Sequence, residues 1–380
     1  MKHSAGRILT THAGSLPRSD TLVNLLAIRN RGESVDSKSF EREAGASTRQ
    51  VIERQSQAGI DVGNNGEQSR VSFSTYVTFR MIGFGGRAER KLPRDRKEYP
   101  GLVRPRVIDL RVAPKCIGPV KYERLDEAEK ECDDFLRHLG DSGVQFEETF
   151  MTAASPGIIA LTMQNDYYPT YEDYVFAIAE EMRKEYELIV SKGLLLQLDC
   201  PDLAMERNTS YQDEPLSAFQ DLVRLNIRAI NRAVRNLSRD QVRMHVCWGN
   251  TEGPHHYDVP LADILPLLYE ANVGALVVEM ANPRHAHEYK VFRQYPLPDH
   301  MLLVAGVIDT KTNYIEHPEV VADRLERVVH AVGDPTRVIA GTDCGFDTSA
   351  GSGRVEKGIV WEKLRAMRQG AEIASQNIPW

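Results

Sequence analysis

The stretch Val242-Arg243-Met244-His245-Val246-Cys247 decides how this chain is read. Val242 to Val246 is a short, largely apolar run, and a strand points alternate side chains to opposite faces. His245 and Cys247 therefore face one way while Val246 packs behind them. Runs of the same character recur at Leu194 to Leu198, Ala275 to Val278, Leu302 to Ile308 and Val338 to Ala340, each ending in polar or small residues. Such runs suit strands buried on both faces, the habit of parallel sheets. Helical patterns separate them. From Tyr174 to Lys192, apolar residues fall mostly at steps of three and four until Gly193 stops the helix, and Leu222 to Leu237 and Val320 to Val332 repeat the pattern.

Adding weaker runs at Gly59 to Gly63, Cys116 to Val120 and Phe146 to Met151 brings the count to about eight strand-helix units, the number that closes a barrel. The predicted architecture is α/β, a (β/α)8 TIM barrel with an N-terminal extension and an insertion after the first strand. Residues 1–50, with a helix near Thr21 to Arg29, are expected to pack over the barrel mouth, and residues 51–380 to form the barrel. Residues 87–115, long, basic and proline-containing, read as an inserted arm, of a length that suits a functional role or self-association into a homo-oligomer. An open doubly wound sheet would want a glycine-rich turn after its first strand. Gly83-Phe84-Gly85-Gly86 has the wrong spacing and precedes a polar segment.

Composition narrows the partners. With 42% hydrophobic and 27% charged residues the chain is globular rather than disordered, and a net charge of −7 offers no general attraction to nucleic acid or anionic membranes. No stretch reaches the roughly 18 apolar residues of a membrane span, and no apolar h-region follows Met1 to Arg7. A cytoplasmic protein acting on small molecules is expected. Five cysteines, an odd number and widely spaced, are expected to be reduced thiols.

His245, Cys247, Glu279 and Cys344 each fall at the C-terminal end of a proposed strand, the face on which barrel enzymes build their sites. Singly, each has a bland reading: a buried cysteine is a small hydrophobe, and a histidine or glutamate completes a hydrogen bond or ion pair. Four candidate ligands on three strand tips favour a shared metal. Imidazole with thiolate selects zinc, and ligands gathered from distant strands suggest catalysis rather than a structural clip. Two thiolates, one carboxylate and a neutral imidazole leave such a centre net anionic. It polarises water poorly and suits holding another thiol as a nucleophilic thiolate. The reaction suggested is sulfur alkylation.

At this point the residues resemble the cobalamin-independent methionine synthase family, in its catalytic barrel alone, over nearly the whole chain. Thr10-Thr11-His12-Ala13-Gly14-Ser15-Leu16-Pro17-Arg18 is similar to the family's N-terminal substrate loop. Gly66-Glu67, Leu198-Asp199-Cys200-Pro201, His245-Val246-Cys247, Val278-Glu279 and Asp343-Cys344-Gly345 match its later signatures in order. The resemblance implies Zn2+ on His245, Cys247, Glu279 and Cys344. It implies an amino-acid thiol, homocysteine, on Ala13, Gly14, Ser15, Glu67 and Asp199, and a methylated tetrahydrofolate as co-substrate in methionine biosynthesis. Two departures bear on the donor. Where the family carries Asp-Ile-His, with the histidine as proton donor, this chain reads Asp309-Thr310-Lys311, which makes Asp309 and Lys311 the catalytic candidates. The family's folate-stacking tryptophan, expected shortly after Pro156, is missing, with Tyr167-Tyr168 nearby instead. The related epoxyalkane:coenzyme M transferases keep the activated thiol and change the electrophile to an epoxide. A sulfonate would then need cations, for which Arg18 and Arg70 are candidates.

Overall fold

The computed structural model describes residues 1–103 and 107–380, so residues 104–106 of the expected arm lie outside the described residues. Seven strands pair in parallel: β1 (Val62–Gly63), β4 (Glu148–Ala154), β5 (Leu195–Asp199), β6 (Val242–Val246), β7 (Ala275–Glu279), β8 (Leu302–Ile308) and β9 (Val338–Thr342). The order follows the sequence, with helices between most neighbours, as expected for a (β/α)8 architecture.

The eighth stave is Leu9 to Thr11. Thr11 N–H donates to Ala340 O at 2.8 Å and Ala340 N–H to Leu9 O at 2.8 Å on one side, while Val62 N–H donates to Thr10 O at 3.0 Å on the other. The parallel bridges Thr10 to Ala340 and Thr11 to Val62 thus join β9 to β1 and close the sheet. This corrects the strand count made from sequence. Cys116 to Val120 is extended, but it belongs to β3 (Val112–Tyr122), which pairs antiparallel with β2 (Met81–Glu89) in a separate two-stranded sheet. The expected helix near Thr21 is present as Asp20–Asn30, capped by Ser19, and Ser37–Gln57 follows before β1.

The barrel strands are buried on both faces, and their two faces pack differently. Inside the lower barrel, Leu9, Ala275, Val277, Leu302, Val304 and Ile339 form one small apolar cluster. Outward-facing Leu276, Val278, Leu303 and Ala305 join the much larger cluster between sheet and helices. Higher in the barrel the inward positions turn polar. On β6 the alternation gives Arg243, His245 and then Cys247 just past the strand. The Arg243 guanidinium lies 3.7 Å from the Phe150 ring centroid and donates to Gln197 Oε1, Thr11 Oγ1 and His12 O, bracing the staves below the mouth.

The β2–β3 excursion leaves the barrel after β1 and folds back over the mouth. Its short helix Arg94–Glu98 docks on the loop after β5: Arg94 N–H donates to Asn208 O at 2.9 Å, Lys97 Nζ to Gln212 Oε1 at 2.7 Å, and Gln212 Nε2 to Leu92 O at 3.2 Å. Among the described residues no helix is long and apolar enough to cross a membrane.

Candidate metal centre

The register of β5 with β6 sets Asp199 beside His245. His245 Nδ1 meets Asp199 Oδ1 at 3.1 Å, which leaves Nε2 buried and without a hydrogen-bond partner among the described residues. His245, Cys247 and Cys344 all lie within reach of one ion: one ligand atom from each residue falls within 4.8 Å of the others, and all three residues are buried. A buried imidazole nitrogen with no partner is costly unless something fills the space, and two sulfurs beside it favour a tetrahedral borderline-soft ion such as zinc. A carboxylate behind the histidine fixes its tautomer, the usual support of a metal-binding imidazole.

The electrostatics agree. Burial opposes charge on His245, but the hydrogen bond to Asp199 and the charges of Cys247 and Glu279 outweigh it and lift its pKa to about 9. A hydrogen bond from Cys344 pulls the Cys247 pKa below the ordinary thiol value, and the same bond, with burial, pushes that of Cys344 up. All five cysteines are free thiols, and the other three lie outside this group.

Glu279 stands at the edge of the trio rather than in it. Its Oε1 accepts from Trp248 N–H at 2.9 Å, and its Oε2 from Asn282 Nδ2 at 2.7 Å and Lys311 Nζ at 3.0 Å. Asp343 anchors this wall by accepting the N–H groups of Met280, Ala281 and Asn282, each at 2.9 Å. Lys311 was expected as a proton donor. Burial alone would ease its deprotonation, but Glu279 and Asp343 dominate and raise its pKa above the ordinary lysine value. Asp309 closes a local turn, its Oδ1 accepting from Lys311 N–H at 2.8 Å.

The same cleft is lined by Ala13, Ser15, Glu67 and Asp199 as well as by the trio. Glu67 has φ 57, a left-handed conformation unusual outside glycine. It is held there by Asn65 Oδ1 on its N–H at 2.9 Å and by Arg18 Nη2 on its carbonyl at 2.6 Å. Thr152 Oγ1 donates to its Oε1 at 2.9 Å, and its Oε2 is buried with no partner among the described residues. Burial first, then the charge of Asp199, raise its pKa to about 7. Gly14, at φ 126, passes so close that a Cβ would sit 2.8 Å from Glu67 Oε1 and 2.6 Å from Thr152. Only glycine lets the loop of residues 12–15 run beside this carboxylate. Ser15 abuts the Cys344 loop, its carbonyl accepting Phe346 N–H at 2.9 Å.

Several supports had no role in the sequence reading. Gln197, two residues before Asp199 and so on the same strand face, donates to Asp199 Oδ1 at 2.8 Å; the period-2 pattern could have found it. Asn282 and Asp343 show themselves only through contacts. The arm also brings Arg90, Lys91, Arg96 and Arg111 to the cleft, which no periodicity in residues 87–115 signalled.

No protein-family model matches the chain. Among curated proteins, it is 24% identical to a methionine synthase of Thermococcus kodakarensis, over 97% of this chain and 94% of that protein. It is 26% identical to a methionine synthase of Pyrococcus furiosus, over 95% and 90%. A 2-hydroxypropyl-CoM lyase of Xanthobacter autotrophicus is 28% identical over 57% of this chain and 59% of that protein. Among solved structures, a B12-independent methionine synthase from Shewanella sp. W3-18-1, in complex with selenomethionine, shares the fold with a TM-score of 0.73 at 21% identity, covering 98% of each chain. The resemblance read from the motifs therefore extends over nearly the whole length: the chain is similar to curated methionine synthases from end to end, and to a 2-hydroxypropyl-CoM lyase over 57% of its residues.

Proposed function

We propose that this protein is a zinc-dependent alkyltransferase that methylates a small thiol, homocysteine or a similar amino-acid thiol, in the manner of its methionine synthase relatives. The observation that carries the reading is the convergence of His245, Cys247 and Cys344 around an unpartnered imidazole nitrogen, in the same cleft as an unpartnered Glu67 carboxylate oxygen. His245, Cys247 and Cys344 would hold the ion, with Glu279 as the fourth donor on exchanging its present contacts. Zinc bound there supplies a positive centre that keeps an incoming thiol in its thiolate form at neutral pH.

The chain's own residues do the rest. Asp199 holds His245 by Nδ1 so that Nε2 points at the two sulfurs. Glu67 and Asp199 form an acidic seat that suits an ammonium group, and a bound ammonium would draw Glu67 into its charged form. Lys311 is a positioning residue: paired with Glu279, it keeps that carboxylate charged and aimed. It also supplies a fixed positive charge beside the site.

A second reading keeps the thiol chemistry and makes the thiol coenzyme M and the electrophile an epoxide, as the lyase relative suggests. Arg18 and Arg70 do not support it. Arg18 donates to Asp347, Gln68 O, Glu67 O and Arg70 O, and Arg70 to Glu131 and Thr152. The deciding experiment is an activity matrix on zinc-loaded protein, homocysteine and coenzyme M each against methyltetrahydrofolate and a short epoxide. Zinc X-ray absorption with and without each thiol accompanies it. Methyl transfer to homocysteine with a new zinc–sulfur contact is expected; turnover with the epoxide alone would reverse the ranking.

A further inference from the structure

We propose that Arg96 on the arm, with Lys91 and Arg111 beside it, is a subsite for an anionic group carried by the alkyl donor. The inference rests on the thiol-alkylation reading above and adds where the second substrate is gripped.

Arg96 is only 8% exposed, and it lines the cleft that holds the metal trio. Its backbone N–H caps the arm helix through Pro93 O, but no hydrogen bond or ion pair to its guanidinium is found among the described residues. Burying a guanidinium without a partner is expensive, and in this chain it is the exception. Arg18, Arg70 and Arg80, still more deeply buried, are all paired: Arg18 with Asp347, Arg70 and Arg80 with Glu131.

The surroundings of Arg96 do not supply the missing charge. Arg90, next along the arm, is taken by Glu206, and Arg111 by Asp109 at 2.7 Å and Glu89 at 3.5 Å. Lys91 is exposed at the cleft edge. Asp95 and Asp109 lie near enough to favour the charge on Arg96, yet burial, with Arg111 and Arg354 close by, outweighs them and lowers its pKa. The result is a largely buried guanidinium on the cleft wall with no partner for its donor fork among the described residues. A guanidinium fork recognises a carboxylate, sulfonate or phosphate through paired N–H donors.

The placement assigns that anion to the donor. The barrel side of the cleft carries Glu67, Asp199 and Ser15, and the arm side carries Lys91 and Arg96 with Arg111 paired to Asp109. A thiol seated with its ammonium on the acid pair and its sulfur at the trio leaves the cationic side to the second substrate.

The test uses the full zinc-loaded chain and two separate readouts. Binding of methyltetrahydrofolate, a dianionic donor, is measured by isothermal titration without thiol, in wild type, Arg96→Gln and Arg96→Lys. Binding of homocysteine and of coenzyme M is measured by zinc X-ray absorption in the same proteins, with thermal melts to confirm folding. The expected result is a loss of about 10-fold or more in methyltetrahydrofolate affinity for Arg96→Gln, the size of a lost hydrogen bond to a charged group. Arg96→Lys should restore part of it, Lys91→Ala should cost less, and homocysteine coordination should be unchanged. No binding by wild type, equal binding by wild type and Arg96→Gln, or a loss confined to homocysteine or coenzyme M would each overturn the proposal. Failure of the thiol reading itself shows separately, as wild-type zinc that gains no sulfur from either thiol.

Discussion

The barrel wall and the arm that covers it both bury positive charge, and they treat it oppositely. Under the wall, Arg18 donates to three backbone carbonyls of residues 67–70 and to Asp347, and Arg243 is shared among three residues across the barrel. On the arm, Arg96 is largely buried, though less deeply than these, and no partner for its guanidinium is found among the described residues. In the cleft, the wall leaves His245 Nε2 and Glu67 Oε2 without a partner among the described residues. A saturated network fixes geometry, and an unsaturated group in a cavity marks where a molecule completes the structure. The contrast separates residues that shape the site from those that bind.

The strongest way to break this division is to remove a ligand from the trio. His245→Ala or Cys344→Ser should abolish stoichiometric zinc, read by inductively coupled plasma mass spectrometry, together with all alkyl transfer. Tight zinc in either variant would mean that the converged side chains are packed core. Next in size is Arg18→Met, which leaves Asp347 and the 67–70 carbonyls without their donor. It should cost about 3–5 kcal/mol in denaturant unfolding, the usual cost of orphaning a buried pair, whereas Arg96→Gln should leave stability nearly unchanged. Equal losses at the two arginines would erase the distinction.

The same contrast explains what could be read in advance. Strands β5 to β9 announce themselves because residues buried on both faces must be apolar there, and the inward alternation of Arg243, His245 and Cys247 exposes the metal pair. The closing stave was not visible. Leu9 to Thr11 is too short for a pattern, and its extended form comes from partners about 50 residues away in Val62 and some 330 away in Ala340. Cys116 to Val120 misled for a related reason: alternation identifies a strand without identifying its sheet, and here the partner is β2. The arm's cations had no assigned role because they meet the cleft only through docking of the arm helix against residues 208–212.

Smaller effects test the supports of the trio. Asp199→Asn keeps the shape beside His245 Nδ1 but removes the charge that fixes the imidazole, and should weaken zinc about 10- to 100-fold in chelator competition, as for other carboxylates behind a ligating histidine. An unchanged affinity would mean that Asp199 serves the substrate alone.

The smallest expected change concerns Glu67, where binding and stability pull apart. Its carboxyl rises from 4.5 to about 7 through burial and then through Asp199, so the folded chain holds this proton more tightly than the unfolded one. That contribution is complete below pH 4.5 and is lost as pH climbs through 7, above which a buried charge is carried without a partner on Oε2. Glu67→Gln should therefore stabilise the substrate-free protein above pH 7, by about 1–2 kcal/mol once the new amide's own unmet hydrogens are counted. It should flatten the fall in stability between pH 4.5 and 7, and raise the KM for the amino-acid thiol while leaving that for the donor in place. A variant less stable than wild type at pH 8, with thiol binding intact, would show that this carboxylate belongs with Arg18 among the groups that hold the wall together.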